Sequence, residues 1–213
     1  MRVAVKICGL KTREAIDSAA KGGADFMGFM FYPASPRNLS LDAAARLRRD
    51  VPVSTKLVAV VVDPDDTLLA DITRAVQPDI FQLHGKETPR RAADIRALTS
   101  KQIIKVIPVA RPEDLAPANA FEGVADWLMF DTKAPAGTAS PGGGGIAFDW
   151  KILSGRSFGR PWLLAGGLNV ENLKDAVSAS GAHLVDVSSG VERTRGEKDP
   201  ALIAAFLDRA KAL

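Results

Sequence analysis

The chain has 213 residues, 46% of them hydrophobic and 25% charged, with a formal net charge of +3 and one cysteine. That is enough apolar material for a sizeable core in one large or two small domains. A single cysteine excludes an internal disulfide, and no apolar run approaches the roughly 18 residues of a transmembrane helix. The N-terminus enters a strand within two residues and shows no apolar leader core, so the cytoplasm is the expected compartment and a membrane partner is not expected. The basic runs Arg46-Leu47-Arg48-Arg49 and Arg90-Arg91 fall inside helical patterns without interleaved aromatics, which argues against a nucleic-acid partner.

Taken in order, apolar strand-like runs alternate with amphipathic helical stretches. Val3–Cys8 is the first strand, and it is followed by a helix from Thr12, an N-cap, to Lys21, closed by Gly22-Gly23. Phe26–Phe31 is the second, then a Pro/Ser turn and a helix from Ser40 to about Asp50. Leu57–Val62 is the third, with Asp63-Pro64 opening a helix that reaches Val76. Asp79–Leu83 is the fourth, broken by His84-Gly85, and Thr88–Leu98 is helical. Ile103–Val109 is the fifth, and Arg111-Pro112-Glu113 starts another helix.

Trp127–Phe130 is the sixth strand, ended by Asp131. The segment to Ala147 reads as a mobile loop, with Pro135, Pro141 and four consecutive glycines, Gly142 to Gly145. Asp149–Ser154 is a short helix, Trp162–Ala165 the seventh strand and Val170–Ser180 its helix. Leu184–Val187 is the eighth strand, and Pro200–Ala212 closes the chain as an amphipathic helix. Continuous apolar strands of this kind are buried on both faces, which argues for a parallel sheet. Eight βα units match an α/β protein built as a single (βα)8 TIM barrel over residues 1–213. The alternative is a doubly wound open sheet.

In such a barrel the strand C-termini and the loops after them line one mouth, which holds the active site. The polar residues there are Cys8, Ser35 and Arg37, Asp63, Gln82 and His84, Asp131 and Lys133, Gly166-Gly167, and Asp186 with Ser188, Ser189 and Gly190. Each has a plainer reading: Cys8 as a small buried hydrophobe, Asp63 as a helix cap, His84 as a loop residue, Arg37 as a surface arginine. Their convergence on one face is what favours chemistry. Glycine turns after strands 7 and 8 let the backbone approach a ligand closely. Helix N-termini there supply N–H donors, so these loops are the expected phosphate site.

The motifs Lys6-Ile7-Cys8-Gly9, Gly28-Phe29-Met30-Phe31 with Ser35-Pro36-Arg37, Gln82-Leu83-His84-Gly85, Asp131-Thr132-Lys133, Phe148-Asp149-Trp150, Ala165-Gly166-Gly167-Leu168 and Asp186-Val187-Ser188-Ser189-Gly190-Val191-Glu192 run in order over essentially the whole chain. Together they resemble phosphoribosylanthranilate isomerase, a (βα)8 barrel of tryptophan biosynthesis. The resemblance implies conversion of N-(5-phosphoribosyl)anthranilate to 1-(o-carboxyphenylamino)-1-deoxyribulose 5-phosphate by an Amadori rearrangement, without metal or cofactor. It implies Asp131 as general acid and Cys8 as general base. Asp131 must then keep its proton at neutral pH, while Cys8 needs an accessible thiolate, with Lys6 on the same strand face. Arg37 would hold the anthranilate carboxylate, Asp186 would line the pocket near the ribose, and Gln82 and His84 would join the substrate pocket. Gly166, Gly167, Ser188, Ser189 and Gly190 would hold the phosphate of the small sugar-phosphate substrate.

The chain departs from the family where Gly144 replaces a hydroxyl residue in the sixth loop, and where Arg193 and Arg195 flank Thr194. Competing readings are a Schiff-base aldolase or lyase using Lys6, Lys105 or Lys133, and a non-catalytic sugar-phosphate-binding module with a structural Cys8. The oligomeric state is open.

Overall fold

The computed structural model describes residues 2–134 and 146–213. The glycine-rich segment expected as a mobile loop lies, for residues 135–145, outside them. Eight parallel strands close into a barrel in chain order: β1 (Ala4–Cys8), β2 (Phe26–Phe31), β3 (Lys56–Val61), β4 (Ile80–Leu83), β5 (Gln102–Val109), β6 (Trp127–Thr132), β7 (Trp162–Leu164) and β8 (Leu184–Val187). Strand β1 pairs with β2 on one side and β8 on the other. An open sheet has two edges and this one has none, so the doubly wound alternative is excluded.

Six α-helices flank the strands among the described residues: α1 (Arg13–Lys21), α2 (Leu41–Leu47), α3 (Asp66–Ala75), α4 (Pro89–Thr99), α5 (Leu173–Ser180) and α6 (Pro200–Lys211). Thr12, Ser40 and Thr88 cap α1, α2 and α4, each side chain accepting an N–H of the first turn. At α3 the cap is Asp65, which accepts from Leu68 N–H at 2.7 Å, and not Asp63. Asp63 instead takes a positive φ of 45° and accepts from Lys86 N–H at 2.6 Å, tying the turn after β3 to the one after β4.

Two of the seven crossovers hold no α-helix among the described residues. After β5 the chain forms a 3₁₀ stretch, Pro112–Phe121, because Pro117 inside it has no N–H to give to an α-helical ladder. After β6 the described residues form a one-turn 3₁₀ piece, Trp150–Leu153. A short hairpin, β9 (Glu192–Thr194) and β10 (Glu197–Lys198), turns at Gly196 with φ +87° and follows β8. No helix of the described residues is long and apolar enough to cross a membrane.

Alternation along each strand divides the core in two. Leu57, Ala59 and Val61 of β3 face the helices, and with Phe29, Phe81, Phe130, Leu69 and Ile72 they form the larger apolar layer. Val58 and Val60 face inward, where Ile80, Ile104, Val106, Met129 and Leu163 join them. Each fully buried Leu, Ile, Val or Phe contributes roughly 1.5–3 kcal/mol. The inward parity that places Ile80, Met129 and Leu184 in the barrel also places Gln82, Asp131 and Asp186 there, two residues closer to the mouth.

Candidate active site

Strand β1 carries Ala4, Lys6 and Cys8 on its inward face, and the two reactive ones are Lys6 and Cys8. Lys6 is completely buried, a position that the charge of an ammonium tolerates only with a partner. Strand register supplies it. Lys6 stands opposite Asp186 of β8, and its Nζ donates to Asp186 Oδ1 at 2.7 Å. Burial works against the ammonium, but the Asp186 carboxylate outweighs it and leaves Lys6 harder to deprotonate than usual. On Cys8 burial dominates and pushes the thiol up, Lys6 pulls it down, and Asp186 pushes it up again. Lys6 thus opposes the effect of burial without overcoming it, and Cys8 is buried rather than openly accessible. Gly28, paired with Cys8 across β1 and β2, keeps the space open, since a Cβ there would stand 3.1 Å from Lys6 Nζ and 3.2 Å from Cys8 Sγ.

At the opposite wall, Asp131 near the end of β6 keeps a side-chain exposure of 13% and His84 after β4 keeps 16%, so both reach the mouth. His84 Nε2 lies 3.2 Å from Asp131 Oδ2, and the Thr132 N–H donates to Asp131 Oδ1 at 2.7 Å. Behind the ring, Gln82 Nε2 lies 3.1 Å from His84 Nδ1, and Gln82 is fully buried. Sequence spacing put Gln82 and His84 at the mouth, and the fold adds that they form one chain of contacts with Asp131.

The turn after β7 holds Gly166 at φ +90° and Gly167 at φ +67°. A Cβ on Gly166 would collide with Thr132 Oγ1 and stand 3.1 Å from Asp131 Oδ1. The side chains of Asn169 and Asn172 each accept the other's N–H at 2.9 Å, and Asn172 Nδ2 donates to Gly167 O at 2.9 Å, which holds the turn. Gly190 presses on Leu168 O, so the turns after β7 and β8 touch through glycine. Ser189 and Gly190 lie in a single 3₁₀ turn. The Ser188 hydroxyl points elsewhere: it donates to Cys8 O at 3.2 Å and receives Lys198 Nζ at 3.2 Å.

Arg37 has a partner in the chain that its local sequence does not show. Its Nε and Nη2 donate to both oxygens of Glu192, at 2.7 and 2.8 Å, a bidentate pair. Glu192 also accepts from Lys198 Nζ at 2.6 Å and Gly196 N–H at 3.0 Å. Burial raises this carboxyl, but Arg37 and Lys198 outweigh it and hold it down to about 2. Burial in turn pushes the Lys198 ammonium down. The Arg37 stem crosses Gly9, whose φ of +79° and missing side chain make room for it. Sequence reasoning quoted Glu192 inside a motif but assigned it no role, and missed Lys198, because their partners lie in another loop.

The three lysines considered for a Schiff base are all committed. Lys6 is bound to Asp186. Lys105 alternates with the inward Ile104 and Val106, so it faces the helices, where Nζ donates to Glu87 Oε2 at 2.6 Å and Gly85 O at 2.8 Å. Lys133 donates to Asp114 at 2.8 Å beyond the strand end. Among the described residues no group of three or more His, Cys, Asp or Glu side chains converges as metal ligands do.

Residues 5–209 match the family model described as N-(5'-phosphoribosyl)anthranilate (PRA) isomerase. The chain belongs to the phosphoribosylanthranilate isomerase family. An N-(5'-phosphoribosyl)anthranilate isomerase of Rhodospirillum centenum is 50% identical over the whole of both chains, and one of Caulobacter sp. strain K31 is 51% identical over 98% of this chain and 99% of its own. Among solved structures, the phosphoribosyl anthranilate isomerase of Thermotoga maritima superposes with a TM-score of 0.87, at 35% identity, covering 99% of this chain and all of that one. Another phosphoribosyl anthranilate isomerase was solved in complex with reduced 1-(o-carboxyphenylamino)-1-deoxyribulose 5-phosphate. It is similar at TM-score 0.85 and 33% identity, over 99% of this chain and 100% of its own. As a phosphoribosylanthranilate isomerase the chain is an enzyme of tryptophan biosynthesis that rearranges an aminoaldose phosphate to its ketose, which accounts for a mouth furnished with a carboxyl and a thiol.

Proposed function

We propose that in this isomerase Asp131 is the general acid and Cys8 the general base, and that all 213 residues act as one catalytic domain. Asp131 gives its proton to the furanose ring oxygen. The C1′–O bond breaks with its electrons going to that oxygen, and the anthranilate nitrogen lone pair forms C1′=N. The Cys8 thiolate then removes the C2′ proton, the C2′–H electrons become C1′=C2′, and the iminium electrons return to nitrogen. Ketonisation of the resulting enol, with a proton delivered to C1′, completes the ketose. An acid and a base so positioned contribute about 10²- to 10⁴-fold each.

The observation that carries this reading is that Asp131 and Cys8 are the inward-facing side chains at the mouth ends of β6 and β1, each with a proton-bearing neighbour, His84 and Lys6. Support for phosphate binding after β7 and β8 comes from two glycine turns in contact, braced by Asn172, where side chains would not fit. Arg37, already oriented by Glu192, suits the carboxylate end of the substrate, and Asp186 the ribose side. A thiol base calls for a reducing compartment, so we assign the enzyme to the cytoplasm.

The test is the fluorescence decay of phosphoribosylanthranilate on adding enzyme. Cys8→Ala and Asp131→Asn should each lower kcat by at least about 10²-fold while still binding the reduced product analogue. Either variant keeping more than about a tenth of wild-type kcat would remove that residue from its role.

A further inference from the structure

We propose that His84 and Gln82 are positioning residues that load the acid: His84 and Asp131 share one transferable proton, and the buried Gln82 amide registers whether that proton is present. The proposal rests on the reading of Asp131 as the acid.

The argument is a count of protons along three contacts. Asp131 Oδ1 already accepts from the Thr132 N–H, so a carboxyl proton belongs on Oδ2, the oxygen 3.2 Å from His84 Nε2. His84 Nδ1 meets the Gln82 amide at 3.1 Å. Gln82 is fully buried, and its Oε1 has no partner among the described residues. With the amide nitrogen toward the ring, Nδ1 must accept. Nε2 then carries the ring's only proton and donates it to an ionised Asp131. That arrangement has no proton to give, so it is the spent form.

Turning the amide by half a rotation puts Oε1 on Nδ1, which must then be protonated. One more proton now lies between Nε2 and Oδ2, whether as carboxylic acid and neutral ring or as carboxylate and imidazolium. This is the loaded form. It gives the orphaned Oε1 its partner and leaves the amide nitrogen without one, so each form carries one unmet buried polar end. When Oδ2 passes its proton to the ring oxygen, Asp131 is left as carboxylate, the ring's remaining proton moves from Nδ1 to Nε2 as the amide turns back, and the pair is in the spent form. Solvent reloads the pair between turnovers.

The surrounding charges are already paired and do not compete for His84. Lys105 is bound to Glu87 beneath the turn after β4, and Asp63 to the Lys86 N–H beside it. Lys133 is bound to Asp114 beyond β6. Lys6 is bound to Asp186 on the β1–β8 side, with Cys8 next to it.

The experiment is the pH dependence of kcat/KM for wild type, His84→Asn and Gln82→Glu, with Asp131→Asn as reference. The new amide in His84→Asn can still donate to Oδ2 but holds no transferable proton, so a purely structural role for His84 would leave the profile in place. The expected result is a fall in kcat of about 10-fold or more, with the alkaline decline of kcat/KM moved to lower pH by at least about one unit. Gln82→Glu places an acceptor-only carboxylate on Nδ1 and should move the same decline to higher pH. An alkaline decline that stays at the wild-type pH in His84→Asn, while Asp131→Asn is inactive, overturns this proposal and leaves the acid assignment standing. An active Asp131→Asn overturns both.

Should either variant misfold, imidazole ¹⁵N spectra of the wild type decide. The chain has two histidines, so a His183→Gln variant assigns His84. Nδ1 should be protonated through the active pH range and lose its proton where activity declines. An Nδ1 that stays unprotonated throughout overturns the proposal.

Discussion

Glu192 is the residue whose ionisation the fold changes most clearly. Its carboxyl is held at about 2 against an ordinary 4.5 by Arg37 and Lys198. A depressed carboxyl contributes stability that is complete above the unfolded value and disappears as pH falls through the folded one. Urea unfolding should therefore show wild type well above Glu192→Gln at pH 7, with the two converging between about pH 4.5 and 2. A gap that stays constant from neutral pH down to pH 3 would show that the charge of Glu192 is not what stabilises the cluster. The identity of this pair was not readable locally. Arg37 and Glu192 are 155 positions apart, and nothing in either neighbourhood names the other.

Among the elements, the turn after β7 shows how closely backbone shape and chemistry are joined. Gly166→Ala meets two penalties, an unfavourable φ of +90° and a Cβ driven into Thr132 beside the Asp131 carboxylate. Gly155→Ala meets only the first, at φ +65° with nothing within 4 Å. Both should lose roughly 1–3 kcal/mol from the strained backbone, but only Gly166→Ala should also lower kcat, because only there must the end of β6 shift. Equal kcat in the two variants would separate the turn from the acid. The double glycine was legible as a place where backbone must come close. That it comes close to the Asp131 carboxylate, rather than only to a ligand, follows from β6 and β7 being neighbours in the barrel.

For the molecule as a whole, the closing seam matters most. Lys6 and Asp186 join β1 to β8 inside the barrel, and removing one partner leaves a buried charge alone. Lys6→Met should cost about 3–5 kcal/mol. That corresponds to a fall in Tm of about 2–4 °C for each kcal/mol in a chain of this size. The double variant Lys6→Met/Asp186→Leu should recover most of the lost stability, since an apolar pair fills the same space without desolvated charge. It should not recover activity. Without Lys6 the Cys8 thiol rises further, and if the thiolate is the base, as proposed, the rise of kcat/KM with pH should move to higher pH. Thermal unfolding and pH–rate profiles of the three proteins check both halves, and a double variant as active as wild type would sever Lys6 from the thiol.

Sequence alone pointed to the strands and to a parallel sheet, because apolar periodicity and turn chemistry act over a few neighbouring residues. The barrel they imply supplied the short list of groups at the mouth, and the ordered motifs carried the resemblance to the family. Sequence did not exclude Lys105, because Ile103, Ile104, Val106 and Ile107 make both faces of β5 apolar and leave the inward one undecided until the barrel is closed. Only the tertiary structure decided which polar groups meet. Lys6 finds Asp186 across 180 residues, Arg37 is held by Glu192, His84 bridges Gln82 to Asp131, and the Ser188 hydroxyl is taken up by Cys8 O and Lys198. Local pattern fixes which side chains share a face of a strand. The partner each one meets depends on strand register around a closed barrel, which is set by the packing of all eight strands at once.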